Sequence, residues 1–370
     1  MGSDSIRVAV IGAGMIANAG HIPAWKHQSG AEVVAVADLE EVNALATAQR
    51  YDIPHAYTDV GKMLDQEHPD LVVVCTPNHY HKEHALAAFR AGSHVLCEKP
   101  VATSYGDALA MFQAADAAGK ILYVGQNLRF FGVIAAAKDF AAAGELGEVY
   151  HADTICMRRR GVPTWGRFHI KQHSDGGPLW DIGVHMLDSM LWVMGNPRVV
   201  AASGMTYTKL ADRDEGLLTS LADSGAPAGV FTPRPYDYRE FDVEDMAVGL
   251  LRLEGDATIA LKISWAANVP EGAGGTLILG TQGGLQLDPQ LRWLKLVKNM
   301  SRYQVDVAPK VPADPDVPFF GHWKQAEHVI KVLRGAEPPR VQRAEALNVI
   351  RALEALYRSA AERREVWLDE

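Results

Sequence analysis

The chain has 370 residues, a formal charge of −9 at pH 7, 48% apolar and 22% charged residues, a profile that suits a soluble protein of two domains. Its acidity, with no basic run longer than Arg158-Arg159-Arg160, excludes a nucleic-acid partner. No apolar run is long enough for a membrane span or ordered like a signal peptide, Ile6 breaks a myristoylation motif, and Cys75, Cys97 and Cys156 show no paired spacing; no membrane and a reducing cytoplasm are expected.

Ile6 to Ile11 is an apolar strand that runs into Gly12-Ala13-Gly14-Met15-Ile16-Ala17, and a helix-like stretch follows towards Lys26. Strand, glycine turn and helix in that order make a dinucleotide fingerprint. Gly12 permits the tight turn, and Gly14 lets backbone approach a pyrophosphate at the helix start, where Met15 and Ile16 lie. Ala17 replaces the third glycine. The next strand, Glu32 to Ala37, ends at Asp38, about 20 residues beyond the turn, as a ribose-binding acid should. Leu39, Glu40 and Glu41 follow with no cation for a 2′-phosphate, so NAD is favoured over NADP. The other reading, that Asp38 simply caps the following helix, is compatible with this one and is less favoured by the spacing.

Further strand–helix alternation indicates a parallel, doubly wound sheet. Asp70 to Cys75 is a strand ending in Thr76-Pro77-Asn78, followed by a helix from about His79 to Ala91. His94 to Cys97 is a buried strand that stops at Glu98-Lys99-Pro100. Alone, Glu98 and Lys99 read as a surface ion pair; in an open α/β sheet, ligands bind beyond such strand ends. Lys99–Pro100 is a candidate cis bond. A helix from about Ser104 to Ala118 and a strand, Ile121 to Val124, close the series near Gly125-Gln126-Asn127. The expected domains are residues 1–126, a Rossmann dinucleotide-binding domain, and 127–370. His79, His81 and His84 do not complete a zinc set, so no metal is expected, and His81 is expected to face the cofactor cleft.

From about Gly147 strand-like stretches come in succession: Val149 to Met157, Val199 to Thr208, Asp245 to Leu253, Ala257 to Ala266, Gly274 to Gly280 and Leu294 to Lys298, with Gly283-Gly284 marking a turn. This half is α+β with a large, mainly antiparallel open sheet. A wide, half-covered sheet could pack on another subunit, so oligomers are expected. Asp212 to Pro235 reads as a long excursion. Helices return at Trp323 to Leu333 and from Arg343 to about Arg363.

Gly176-Gly177 leads into a helix on which Asp181, His185 and Asp188 fall at i, i+4 and i+7 and share one face. In isolation the stripe is compatible with a solvated face or a satisfied core histidine. Beside a dinucleotide fold it is a candidate acid–base site.

Together these residues resemble the Gfo/Idh/MocA oxidoreductases over essentially the whole chain: the glycine turn, Thr76-Pro77-Asn78 with His81, Glu98-Lys99-Pro100, and, about eighty residues on, Asp181-Ile182-Gly183-Val184-His185. The resemblance implies NAD or NADP as cofactor, a sugar, glycoside or cyclic polyol as substrate, and a homodimer or homotetramer. By position it implies a catalytic trio of Lys99, Asp181 and His185. It also implies cofactor contacts at Thr76, Pro77, Asn78, His81, Glu98 and Gln126, and a segment after Gln126, with Arg129, that re-enters the cleft. Arg158 and Trp165, with Arg167 and Lys171, precede the catalytic helix, where substrate contacts are usual. The expected reaction is hydride transfer from a secondary carbinol to nicotinamide; the alternative is an NAD-dependent glycoside hydrolase that works by transient ring oxidation, elimination and re-reduction. No Tyr is followed four residues later by Lys, which excludes the short-chain dehydrogenase dyad. A non-catalytic nicotinamide sensor is disfavoured because the trio is retained.

Overall fold

A computed structural model describes residues 5–213, 229–270 and 272–368. Six short strands form the first sheet: β1 (Ile6–Ile11), β2 (Ala31–Ala37), β3 (His55–Tyr57), β4 (Leu71–Val74), β5 (His94–Cys97) and β6 (Leu122–Val124). All pairings are parallel, in the order β3-β2-β1-β4-β5-β6. The sequence order reverses between β1 and β4, which opens a ligand crevice beyond the strands' carboxyl ends. Both faces of the central strands are buried, hence their branched, apolar composition, while β3, at the edge, is more exposed. Val8, Val10, Leu71, Val73 and Leu96 point to one apolar cluster, while Ala9, Ile11, Val72, Val74, Val95 and Cys97 point to the other.

The second sheet has nine strands: β7 (Val149–Met157), β8 (Val199–Tyr207), β9 (Met246–Leu253), β10 (Thr258–Ser264), β11 (Gly274–Gly280), β12 (Gly283–Leu287), β13 (Leu294–Met300), β14 (Tyr303–Val307) and β15 (Val366–Trp367), ordered β14-β13-β12-β11-β7-β10-β9-β8-β15. Only β7 and β10 are parallel neighbours. Long helices, Val184–Val193 and Arg343–Glu362, cover one face, and the second begins with a capping box made by Gln342 and Glu345. The expected α/β and α+β architectures are both present.

Three features differ from the sequence reading. Gly283 and Gly284 lie inside β12, and the turn is Thr281-Gln282. These glycines serve close approach: a Cβ on Gly280 would lie 2.2 Å from the Leu146 carbonyl oxygen, and one on Gly283 2.7 Å from that of Glu145. The helix Phe320–Leu333, placed in the second domain by chain order, returns to the first, where Ala326, Val329 and Ile330 pack with Val8, Val10 and Trp25. The excursion from Asp212 to Pro235 falls largely outside the described residues.

Candidate active site

Sterics build the glycine turn. Gly12 has φ +95°, and a Cβ there would lie 2.8 Å from the Cys75 carbonyl, so the Thr76 turn packs onto it only without a side chain. Gly14 is exposed, with nothing within 4 Å of its Cβ position. That leaves open space over the backbone where Met15 and Ile16 begin the helix, a suitable approach for a pyrophosphate. Asp38, at the end of β2, accepts hydrogen bonds from the Ala13 amide (2.8 Å), the Glu40 amide (2.9 Å) and Asn43 Nδ2 (3.3 Å). It braces the glycine turn against the residues that lead into the next helix, whose N-cap is Glu40 and carries no side-chain cap.

Beyond the other half of the sheet, several buried polar atoms have no hydrogen-bond partner: Thr76 Oγ1 after β4, Gln126 Oε1 and Asn127 Oδ1 after β6, and His185 Nδ1. Each such atom costs about 1–3 kcal/mol. They lie where the nicotinamide half of a dinucleotide sits in a sheet of this order, so the residues present fit that group.

Lys99 and Asp181 meet in this cleft. Lys99 Nζ donates to Asp181 Oδ1 at 3.0 Å and to the Asp181 carbonyl at 2.8 Å. The Lys99–Pro100 bond is cis. Trp265 Nε1 donates to the other carboxylate oxygen, Asp181 Oδ2, at 2.9 Å. Burial opposes ionisation of Asp181, but Lys99, then Arg158 and Trp265, hold its carboxyl at about 2. The carboxylate is therefore fixed, charged and aimed. Asp181 lies in the π-type turn Leu179–Gly183 that opens the helix, and His185 follows in its first α-helical residues. Burial, and then the Lys99 ammonium, lower the His185 imidazole to about 3. At neutral pH it is an uncharged base beside an ammonium donor, the pairing needed to move a proton from a hydroxyl group.

A second constellation adjoins the first. Glu98 Oε1 lies 2.7 Å from His21 Nε2 and 3.4 Å from His322 Nε2, and Glu98 Oε2 accepts the Lys99 amide at 3.1 Å. All three side chains are buried and could formally ligate a metal. Both imidazole nitrogens, however, converge on one carboxylate oxygen, the place an ion would have to occupy at about 2.0–2.2 Å from its ligands. The set is a hydrogen-bonded carboxylate. Sequence reading missed it: His21 stands near the glycine turn, but His322 comes from the returning helix and carries no local signal. Trp265 was missed for the same reason.

Other expected site residues go elsewhere. His81 is buried, with Nδ1 2.7 Å from the Pro100 carbonyl oxygen and Nε2 2.8 Å from that of Thr76. It pins two cleft loops from behind and does not line the cleft. Arg129 is sealed, not substrate-facing. Its Nε and Nη2 grip the Asp188 carboxylate at 2.8 and 2.7 Å, and Nη1 meets Glu345 at 2.5 Å. Burial disfavours the guanidinium, yet Asp188 and Glu345 outweigh it and raise its pKa. Asp188 is thus engaged away from the Lys99–Asp181 pair despite its i+7 spacing. Asn78 Nδ2 donates to the Ser174 carbonyl at 2.9 Å, latching the Thr76-Pro77-Asn78 turn to the second domain, while Pro77 is exposed. Arg158 is exposed and bonds the Gly161 carbonyl at 3.2 Å, near enough to Asp181 to lower its pKa. Trp165 is buried beside Phe168. His79 pairs with Asp175, so the three neighbouring histidines do not converge.

Comparison with known proteins agrees with this geometry. Residues 6–126 match the model of an oxidoreductase family with the NAD-binding Rossmann fold, and residues 134–286 match the GFO/IDH/MocA C-terminal domain. A D-glucoside 3-dehydrogenase of Escherichia coli (strain K12) is 35% identical over 73% of this chain and 73% of its own. A D-apiose dehydrogenase of Paraburkholderia graminis is 28% identical over 97% of this chain and 89% of its own. The solved structure of a levoglucosan dehydrogenase complexed with NADH superimposes with a TM-score of 0.81 at 20% identity, covering 99% of this chain and 100% of that one. These relatives are named as dehydrogenases, which does not favour redox-assisted glycoside hydrolysis.

Proposed function

The chain belongs to the GFO/IDH/MocA oxidoreductases with the NAD-binding Rossmann fold, and from that membership we propose that it oxidises a secondary hydroxyl of a sugar, glycoside or cyclic polyol. The observation that carries this reading is the Lys99–Asp181 pair beside an uncharged His185. A bound nicotinamide dinucleotide supplies the hydride acceptor. Gly12, Gly14, Met15, Ile16 and Asp38 would hold its adenosine half, and Thr76, Pro77, Glu98 and Gln126 the nicotinamide half. His185 takes the hydroxyl proton. Lys99 turns from Asp181 to the reacting oxygen and stabilises its developing negative charge. Asp181, held by Trp265, accepts a hydrogen bond from a neighbouring hydroxyl, with Arg158 and Trp165 at the substrate end.

Asp38 with Glu40 and Glu41 favours NAD over NADP, because a 2′-phosphate would meet carboxylates; a preference of about 10–100-fold is expected. The second sheet's open face presents Met205, Leu250, Leu277 and Val297, each about two-fifths exposed (38–43%). That face suits a homodimer or homotetramer, to be read by light scattering. Among the described residues no helix is long and apolar enough to cross a membrane, and three free cysteines suit a cytoplasmic setting. The deciding experiment is a panel of sugars, polyols and aryl glycosides with NAD and NADP, reading reduced cofactor and released aglycone. Reduced cofactor without aglycone is expected; aglycone release with no net reduction overturns the reading.

A further inference from the structure

We propose that Glu98 is kept as a buried carboxylate by His21 and His322 to favour the oxidised, positively charged nicotinamide over the reduced one. The two histidines are then positioning residues for the redox state of the cofactor. This rests on the nicotinamide reading above.

Three observations lead to it. First, Glu98 is 5% exposed, bonds His21 Nε2 at 2.7 Å and the Lys99 amide at 3.1 Å, and has His322 Nε2 3.4 Å away. Burial opposes its ionisation, but the histidine hydrogen bonds outweigh that and hold its carboxyl well below the usual range. Second, among the described residues no Lys or Arg pairs with it. Asp181 is matched by Lys99, and burial lowers the His21 imidazole towards its uncharged form. Asp181 thus has a lysine beside it, whereas the partners of Glu98 are imidazoles. An unmatched buried charge is costly, and such groups are retained where a ligand completes them. Third, Glu98 ends β5, on the β4-β5-β6 half of the sheet, next to Lys99 and close enough to influence His185. The group that arrives in that half carries a full positive charge when oxidised and none when reduced.

His322 gives the arrangement its reach. It sits on the helix Phe320–Leu333, more than two hundred residues along the chain from Glu98, and its ring packs edge-on against His21 at 4.8 Å between centroids. Asn127 Nδ2 lies against the same ring, 3.2 Å from Nδ1 and 3.3 Å from Nε2, so the segment after β6 also bears on His322. The returning helix thus completes the cleft electrostatically as well as by packing.

The test is the ratio of dissociation constants for NAD+ and NADH, measured by fluorescence titration on the full chain. Glu98→Gln should move the ratio about tenfold towards NADH, with His322→Gln and His21→Gln moving it about threefold the same way. In His322→Gln the ratio should also fall more steeply on acidification than in the native chain, because the Glu98 carboxyl moves up towards its ordinary range, a change that a packing role would not produce. If both constants rise equally in Glu98→Gln, Glu98 is a plain contact and the inference is overturned. If only Glu98→Gln shifts the ratio, the role of the histidines is overturned. Should Glu98→Gln not fold, His322→Gln and its pH dependence decide. A chain that binds neither nucleotide overturns the nicotinamide reading itself, a separate result.

Discussion

One helix carries two cation–carboxylate pairs with opposite fates. Asp181, in its opening turn, meets Lys99 at 3.0 Å, with the side chains 18% and 16% exposed. Asp188, seven residues on, meets Arg129 at 2.7 Å, with both side chains 1% exposed. The first pair has one N···O contact with Oδ1 and faces a cleft with unsatisfied polar atoms; the second is bidentate, reinforced by Glu345 and sealed under Trp192. Lysine is a point charge on a flexible stem and can leave Asp181 for another acceptor. Arginine's planar fork is spent on Asp188. The charges match in kind, and access and denticity assign one pair to chemistry and the other to holding the second domain together.

The largest way to break this contrast is at the lysine. Lys99→Ala should lower kcat/KM by about a thousandfold or more, since an oriented donor to the developing oxyanion is lost. The affinity for NAD should stay within a few-fold, and the melting temperature should fall less than in Arg129→Ala, because this pair is less deeply buried than Arg129–Asp188. Steady-state kinetics with nucleotide titration checks it. Near-native turnover in this variant would remove Lys99 from the mechanism. His185→Ala should cost about 10²–10⁴ in kcat, the usual contribution of a positioned base.

Arg129→Ala should show the reverse profile. Leaving Asp188 buried and unpaired costs about 3–5 kcal/mol, read as a fall in the denaturant midpoint, while the protein that remains folded turns over at close to the native rate. Loss of kcat without loss of stability would show that Arg129 touches substrate after all. Replacing both partners, Arg129→Met with Asp188→Leu, should recover much of the stability, because the cost comes from the orphaned charge.

The contrast also marks what the sequence could carry. Five of the six strands from Ile6 to Val124 are short, apolar and separated by helices, so local periodicity sufficed for them and the glycine turn; the edge strand β3, His-Ala-Tyr, carries no such signal and was missed. The spacing of Lys99, Asp181 and His185 was legible because a motif carries it. Arg129, His81 and Asp188 were not legible as structural groups, since burial depends on what packs from distant segments: Arg340 and Glu345 against Arg129, Pro100 against His81. Trp265 and His322 lie far along the chain from the groups they orient, and no local pattern announces such pairs. Helical spacing also placed Asp188 with Asp181, but nothing in that spacing shows that Asp188 is already held by Arg129.

The smallest effect is the most discriminating one. His185 is lowered to about 3 first by burial and next by the Lys99 ammonium, whereas Arg129 is not among its principal influences. In a proton NMR titration, His185 should therefore remain uncharged well below pH 6.5 in the native chain. Lys99→Met should raise its pKa part of the way back, because the charge is gone and the burial remains; Arg129→Met should leave it in place. The sign of the stability change follows. The unfolded chain binds this proton at about pH 6.5, above the folded pKa, so the stabilisation is complete above that pH and is lost as the pH falls towards 3. His169, lowered to about 4 by burial and then Arg234, acts in the same direction. The melting temperature should thus fall on acidification from pH 7 to 5. Lys99→Met and Arg129→Met also free the carboxylates of Asp181 and Asp188, which titrate on their own account, so the two variants are compared at the His185 resonance and not by melting. An unmoved His185 pKa in Lys99→Met would mean that the Lys99 charge does not reach His185, and the pairing of an ammonium donor with a neutral base would lose its electrostatic basis.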